Sequence, residues 1–428
     1  MDMGLIITIV AFIFVALCLL TGKIPGSVAC GTAVLVLWMC NVITSEEAFA
    51  NFVSSSIVVM VCMMILIGAL LKTDILNIIA GWVRKSKGGV MILLVATMVV
   101  PFFLCQFIGG VTAMITVIPL AIALAAEAGI APTVLVLPAS VGAQAGLLAL
   151  PIGGAAAMYM VKNQMMEAVG CTETLGFWDL CLARMPGTIA VFLFVLLVGW
   201  KLLPQRELGK SDMLENSDRA LKKSTLSKGK QYTIYVIFIA TMVMLSICNN
   251  LGISNMLVAM TAAILVMLLG FLNEREMFAS INWSLIFMMS FMLSIATALG
   301  NSGASELLAG LLSPVYGSGN VVLAAGATFV FCAVLTQFMD NTALINILTP
   351  ICVAACVQNG ISAIPVVLAI DASCLISFST PMASPSSLVA YQLGGYSMKE
   401  MLKFNVPLIL ISSIVSIIWI PIYSGLIR

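Results

Sequence analysis

The sequence predicts an all-α polytopic membrane protein of two inverted-topology repeats, each with about five spanning helices, one re-entrant helical hairpin and one unwound helix. Three observations predict it. The 428 residues are 62% hydrophobic and 9% charged, with a mean hydropathy of +1.16, where soluble domains carry roughly a quarter charged residues. That leaves too little polar surface to cover a globule, so the bilayer is the solvent. Apolar runs of the ~20 residues that a span needs recur along the whole chain, and the second half repeats the first at a near-constant offset.

Taken in order, runs at 5–21, 27–43, 52–71, 133–160, 186–203, 232–249, 255–272, 283–300, 362–391 and 405–423 give ten candidate crossings. The first is read as a span because Met-Asp-Met-Gly lacks the basic start and cleavage site of a secretory signal. Two longer stretches, 88–128 and 320–357, are interrupted by Gly109-Gly110 and by Asp340-Asn341-Thr342, and are expected to be hairpins. The segment 201–230 holds eight of the nineteen Lys and Arg residues against four acids, which makes it a solvated, cytoplasmic loop by the positive-inside rule. The loop at 161–178 then lies outside and the basic arm from Lys72 to Lys87 inside. Met277 to Met398 contains no Lys or Arg, so its loops can face outward. The division expected is a first repeat at 1–203, a linker at 204–230 and a second repeat at 231–428, in the plasma membrane.

The repeat is explicit. Residues 51–83 parallel 280–312 at an offset of 229, Gln106-Phe107 matches Gln337-Phe338 and Pro119 matches Pro350 at 231, and Pro151 matches Pro381 at 230. Five crossings plus one hairpin is an odd count, so the second half inserts upside down. The hairpins enter from opposite sides and their tips meet near the midplane, where inverted-repeat carriers place their sites.

Other classes fall away on composition. The absence of histidine removes Ser-His and Cys-His catalysis, the HExxH zinc motif and histidine proton relays. No P-loop cradles ATP. A net charge of +1 without a clustered basic face excludes nucleic acid as a partner. The twelve cysteines are scattered singly in apolar stretches and read as small core residues. An enzyme is not expected, nor any organic cofactor, and a passive channel fits the broken-helix repeat poorly.

Chemistry is expected where helices break, because irregular backbone at membrane depth is tolerated only when buried or lining a cavity. Two related pairs of breaks stand out: the tips at 106–113 and 337–343, and the stretches 149–157 and 379–387. A returning helix presents unpaired N–H groups and a positive dipole end at Gly109 and Gly110, an anion site that Gln106, Gln337, Asn341, Thr112 and Thr342 supplement with neutral donors. The unwound carbonyls of 152–155 and 382–385, with the hydroxyls of Thr380, Ser384, Ser386 and Ser387, suit Na+. Small residues also let helices pack closely, the preferred reading for Ser54, Ser55 and Ser56. Asp340 could bind a cation, take a proton or cap its helix. Asp371, deep in an apolar stretch, is a functional candidate by default, its alternative being that it reaches the aqueous mouth of its helix, and Lys72 and Asp74 are expected to be snorkelling or arm residues.

These residues resemble the divalent anion:sodium symporter family of the ion transporter superfamily along most of the chain. The most specific stretch is STPMASPSSLVAYQLGGYSMKEMLKFNVPL near the end. Family members carry Ser-Asn-Thr at both tips. Here Asp340-Asn341-Thr342 occupies the second, and Gly109-Gly110-Val111 the first. The resemblance implies a small organic anion as substrate, a di- or tricarboxylate, with Na+ as coupling ion. It places Asn341 and Thr342 on the carboxylate, and Na+ at Gly109, Gly153 and Gly154 and at Asp340, Asn341, Ala383 and Ser384. It implies elevator-type movement against a homodimeric scaffold embedded in membrane lipid. The departures at 109–111 keep a proton-coupled or exchange-type carrier open, and Asp340 and Asp371 keep cation/proton antiport open.

Overall fold

The computed structural model describes residues 3–426 apart from 22, 76, 79–89, 109, 128, 207–225, 249–250, 311, 338–340, 375, 378 and 380–383. Among these the regular structure is helical throughout. The first half runs α1 (Met3–Thr21), α2 (Gly26–Met39), α3 (Ser45–Phe49), α4 (Ser55–Leu71), α5 (Val90–Ile108), α6 (Gly110–Glu127), α7 (Thr133–Gly146), α8 (Met158–Ala168) and α9 (Asp179–Leu197). The second runs α10 (Lys228–Ile247), α11 (Asn255–Leu268), α12 (Glu274–Ser280), α13 (Trp283–Asn301), α14 (Ala304–Gly310), α15 (Ser313–Tyr316), α16 (Val321–Leu335), α17 (Asn341–Gln358), α18 (Ile364–Cys374), α19 (Pro385–Gly394) and α20 (Met398–Leu426). Seven helical stretches of the described residues are long and apolar enough to cross a membrane, with shorter apolar helices beside them.

The elements repeat as the sequence does. α2 and α11 are related by 229 residues at both ends. α5 and α6 pack on each other as the first hairpin; α16 and α17 follow one another at the second tip, but α16 packs on α18 and α20 and α17 on α14 and α18 rather than on each other, while the runs 133–160 and 362–391 are broken into α7 and α8, and into α18 and α19. Thr44 caps α3 and Asn273 caps α12, each in a capping box with a glutamate three residues on, Glu47 and Glu276.

Those glutamates are exchanged between the halves. Glu276 accepts from Lys72, at the end of α4, at 2.6 Å, and Glu47 accepts from Asn301, the last residue of α13, at 2.9 Å. Lys72 and Asn301 are themselves repeat mates. A contact and its mirror image on exchanged partners require a two-fold relation, and they run α4 and α13 antiparallel. α9 and α20 meet on the same kind of axis: a Cβ on Gly187 would lie 2.8 Å from the hydroxyl of Ser416, its own mate.

In lipid the hydrophobic effect does not drive helix against helix, so close approach depends on small residues and van der Waals contact. Gly142 and Gly146 supply it: a Cβ on either would run into the Met98 or the Phe102 carbonyl. This seats the first hairpin on α7. Met60, Met63 and Leu66 on α4 and Phe329 on α16 are fully buried and fill the centre.

One boundary differs from expectation. The stretch 161–168, expected to be part of an outside loop, is helix, and the loop begins only at 169. The polar groups are satisfied inside: Asn163 exchanges two hydrogen bonds with the Leu175 backbone, and Gln164 accepts from Ser56 at 2.6 Å. Ser56 therefore bonds a partner rather than only allowing close packing. Glu173 from the remaining loop caps α18, accepting from Ser362 at 2.9 Å and from the Ala363 N–H at 2.7 Å. Glu173→Ala should cost about 1 kcal/mol through loss of this cap, read as a lower unfolding temperature of the purified protein in detergent.

Candidate functional site

The hairpin tips and helix breaks are joined by one device used twice. The Gln106 side-chain amide donates to the carbonyls of Phe102 and Gly146, and its oxygen faces the Leu150 N–H at 3.5 Å. Gln337 donates to Ala333 at 2.8 Å and to Ile376 at 3.5 Å, and its oxygen accepts from the Ser379 N–H at 3.0 Å. The carbonyl partners are repeat mates, Phe102 with Ala333 and Gly146 with Ile376, and Ser379 lies one position before the mate of Leu150. Each glutamine thus latches a tip to the unwound segment beside it. Both were expected to offer free donors to substrate, but both N–H groups of each are committed to protein carbonyls.

At the second tip the Thr336 hydroxyl lies 2.7 Å from both the Asn341 side-chain oxygen and the Cys374 carbonyl, which share its one proton. Asn341 donates to Ser377 at 2.9 Å, and Gln144 from α7 donates to the same hydroxyl at 2.7 Å. Ser377 and Thr336 escaped the sequence reading. Ser377 is the hub where both broken helices and the second tip converge. At the first tip, a Cβ on Gly110 would lie 2.7 Å from the Ser386 hydroxyl, so this glycine brings the start of α6 against α19. Ser384 caps α19, accepting from the Ser387 N–H at 3.2 Å and donating to its hydroxyl at 2.9 Å, with Pro385 at the first helical position. Thr112 is exposed on α6 and Thr342 is half-buried on α17. Gly109, Asp340, Thr380 and Ala383 lie outside the described residues.

The first break is held in unusual backbone. Leu148 has φ 54° and Gly153 φ 62°; the former is a region bulky side chains rarely enter. Gly153 and Gly154 open a 3₁₀ turn to Ala157, and a Cβ on Gly153 would run into Ile67 of α4. Buried Arg184 donates to the carbonyls of Leu147 at 2.6 Å and Ala145 at 2.9 Å. It supplies the positive charge that the C-terminal carbonyls of α7 attract.

Asp371 does not reach an aqueous mouth. It is buried and paired with Lys162 of α8 at 2.9 Å, with side chains 10% and 4% exposed. The pair ties the far half of one broken helix to the near half of the other. An intramembrane ionisable residue is the signal that would have found both Lys162 and Arg184.

Lys72, at the end of its span, is also held by protein partners. Besides Glu276 it donates to the Phe271 carbonyl at 3.0 Å, and Asp74 accepts from Gln231 at 3.1 Å. The Lys72 ammonium, with the Asn273 backbone N–H, holds the Glu276 carboxyl below the ordinary carboxylate range. Lys72 and Glu276 border a cavity of about 480 Å³ that reaches Gln106 and Phe107 at the first tip, with Ser280 and Asn282 on its wall.

Repeat-related hairpins and broken helices, latched at their tips inside a bundle of membrane-spanning helices, define a multi-pass membrane transporter. The chain belongs to the citrate transporter family, CitMHS, of the ion transporter superfamily, whose profile matches residues 5–370. It is 28% identical over 169 residues to YfbS, an uncharacterized transporter of Escherichia coli, and 24% identical over 335 residues to an uncharacterized transporter of Methanocaldococcus jannaschii. Those matches cover 40% and 76% of this chain, and 28% and 71% of the relatives. A probable sodium/sulfate cotransporter of Chlamydomonas reinhardtii is 24% identical over 197 residues, 44% of this chain and 22% of its own. The chain thus spans only part of the length of several relatives that it matches, 28% of YfbS and 37% and 31% of uncharacterized transporters of Haemophilus influenzae and Synechocystis. Among solved structures, the Alcanivorax borkumensis YdaH transporter shares the fold at a TM-score of 0.64 and 15% identity, over 89% of this chain and 88% of its own. Neisseria gonorrhoeae MtrF does so at 0.60 and 13%, over 91% and 84%.

Proposed function

We propose that the protein is a secondary active transporter of a small organic anion, a di- or tricarboxylate such as citrate. What carries the reading is the paired latch: a tip and an unwound segment, made twice, with Ser377 and Asn341 at the second, and helix starts at α6 and α17 that offer N–H groups to an anion. The anion rests on these and on Gly110, Thr342 and Ser386. The hairpins and broken helices move together, elevator-fashion, against the antiparallel α4 and α13. The working unit is a homodimer in the plasma membrane, with 204–230 cytoplasmic. Na+ is the coupling ion, held by the oxygens of Gly153, Gly154, Ala383, Ser384, Gly109, Asp340 and Asn341.

The buried Lys162–Asp371 pair supports a second reading, a cation/proton antiporter or a proton-coupled anion carrier, because intramembrane carboxylates serve proton relays. Thermal-shift titration of the purified protein with citrate, succinate, sulfate and arsenite, each in Na+ and in K+, tests the choice. Stabilisation by a carboxylate that is greater in Na+ supports the lead. Stabilisation by Na+ with no response to any anion favours antiport. Asn341→Ala should abolish the carboxylate response.

A further inference from the structure

The molecule holds two ion pairs of opposite character. Lys162–Asp371 is sealed, whereas the Lys72 and Glu276 side chains are 34% and 37% exposed and border the 480 Å³ cavity. An ion pair that solvent reaches contributes little to stability, so a passing anion can separate it at small cost. Glu276 needs no lysine to stay in place, since its carboxylate also accepts from the Asn273 N–H at 2.9 Å in the capping box. The repeat mate of this pair is Asn301 on Glu47, which is neutral on the donor side. One face of the symmetric scaffold therefore carries a cation that the other lacks.

We propose that Lys72 is a carboxylate-docking residue at the mouth of this cavity, and that Glu276 is its built-in stand-in, a carboxylate the arriving anion displaces. This rests on the carboxylate reading above and deepens it. The cavity leads from Lys72 to Gln106 and Phe107 at the first tip, so an anion taken from Glu276 is already beside the moving hairpin. A single cation at a concave, low-dielectric mouth raises the local concentration of anions there. The symmetric fold thus gains a preferred loading face.

The test uses the full-length protein in oriented proteoliposomes, with the apparent KM for citrate measured from each face. Lys72→Asn copies the neutral mate and should raise KM from its own face about fivefold, a loss of the size one partly exposed charge contributes. Glu276→Gln keeps the capping box, which accepts glutamine, and frees the ammonium, so it should lower KM from the same face. A staple that merely joins α4 to α12 predicts the same direction for both variants. Opposite shifts confined to one face support docking; like shifts, or an unchanged KM in Lys72→Asn, overturn it. A wild-type carrier that moves sulfate but no carboxylate overturns the carboxylate reading alone, and the Lys72 test then runs with sulfate as the probe.

Discussion

Asp371→Leu should be the most damaging single substitution in the chain, costing about 3–5 kcal/mol, the penalty for stranding a buried charge. It strands the Lys162 ammonium, which loses its partner at 2.9 Å. Lys162→Met should be damaging for the same reason, since it leaves the Asp371 carboxylate buried without its partner. The double variant Lys162→Met, Asp371→Leu should recover much of the loss, as apolar replacements of buried pairs often do. Unfolding temperature and the folded fraction on size exclusion measure all three. If Asp371→Leu is tolerated while transport disappears, the pair is a coupling element rather than a structural tie between the broken helices.

The second large effect falls on the latches. Gln106→Leu and Gln337→Leu keep side-chain bulk but strand buried carbonyls and an N–H, at about 1–3 kcal/mol for each group left unpaired. Gln337→Leu should be the worse, because its oxygen takes the Ser379 N–H at 3.0 Å where Gln106 meets Leu150 only at 3.5 Å. Both variants should lose maximal transport rate more than substrate affinity, because the amide N–H groups are already committed to protein carbonyls. A tenfold rise in KM at unchanged rate would return them to the binding site.

The architecture was legible because its signals are local and doubled. Spans need apolar length, breaks need Gly, Pro or small polar residues, and an offset of 229 to 231 residues shows both halves at once. The glutamines also stood out by their offset, but a sequence cannot show that an amide is already occupied. Lys162 followed by Asn163 and Gln164 looks like a helix leaving the membrane; its partner Asp371 belongs to the other half, and no periodicity links them. Ser377 and Thr336 are ordinary hydroxyls until three helix ends converge on them. Lys72 resembled any lysine at a span end, and only its exchange with the Asn301–Glu47 contact gives it a distinct place.

The measurement that bears most directly on the central claim is uptake of labelled citrate into proteoliposomes holding the purified protein, driven in turn by an inward Na+ gradient, by a proton gradient and by internal unlabelled citrate. Accumulation above equilibrium under the Na+ gradient, lost in Asn341→Ala, is the result expected. Cation-driven proton flux with no carboxylate movement under any of the three conditions would contradict it.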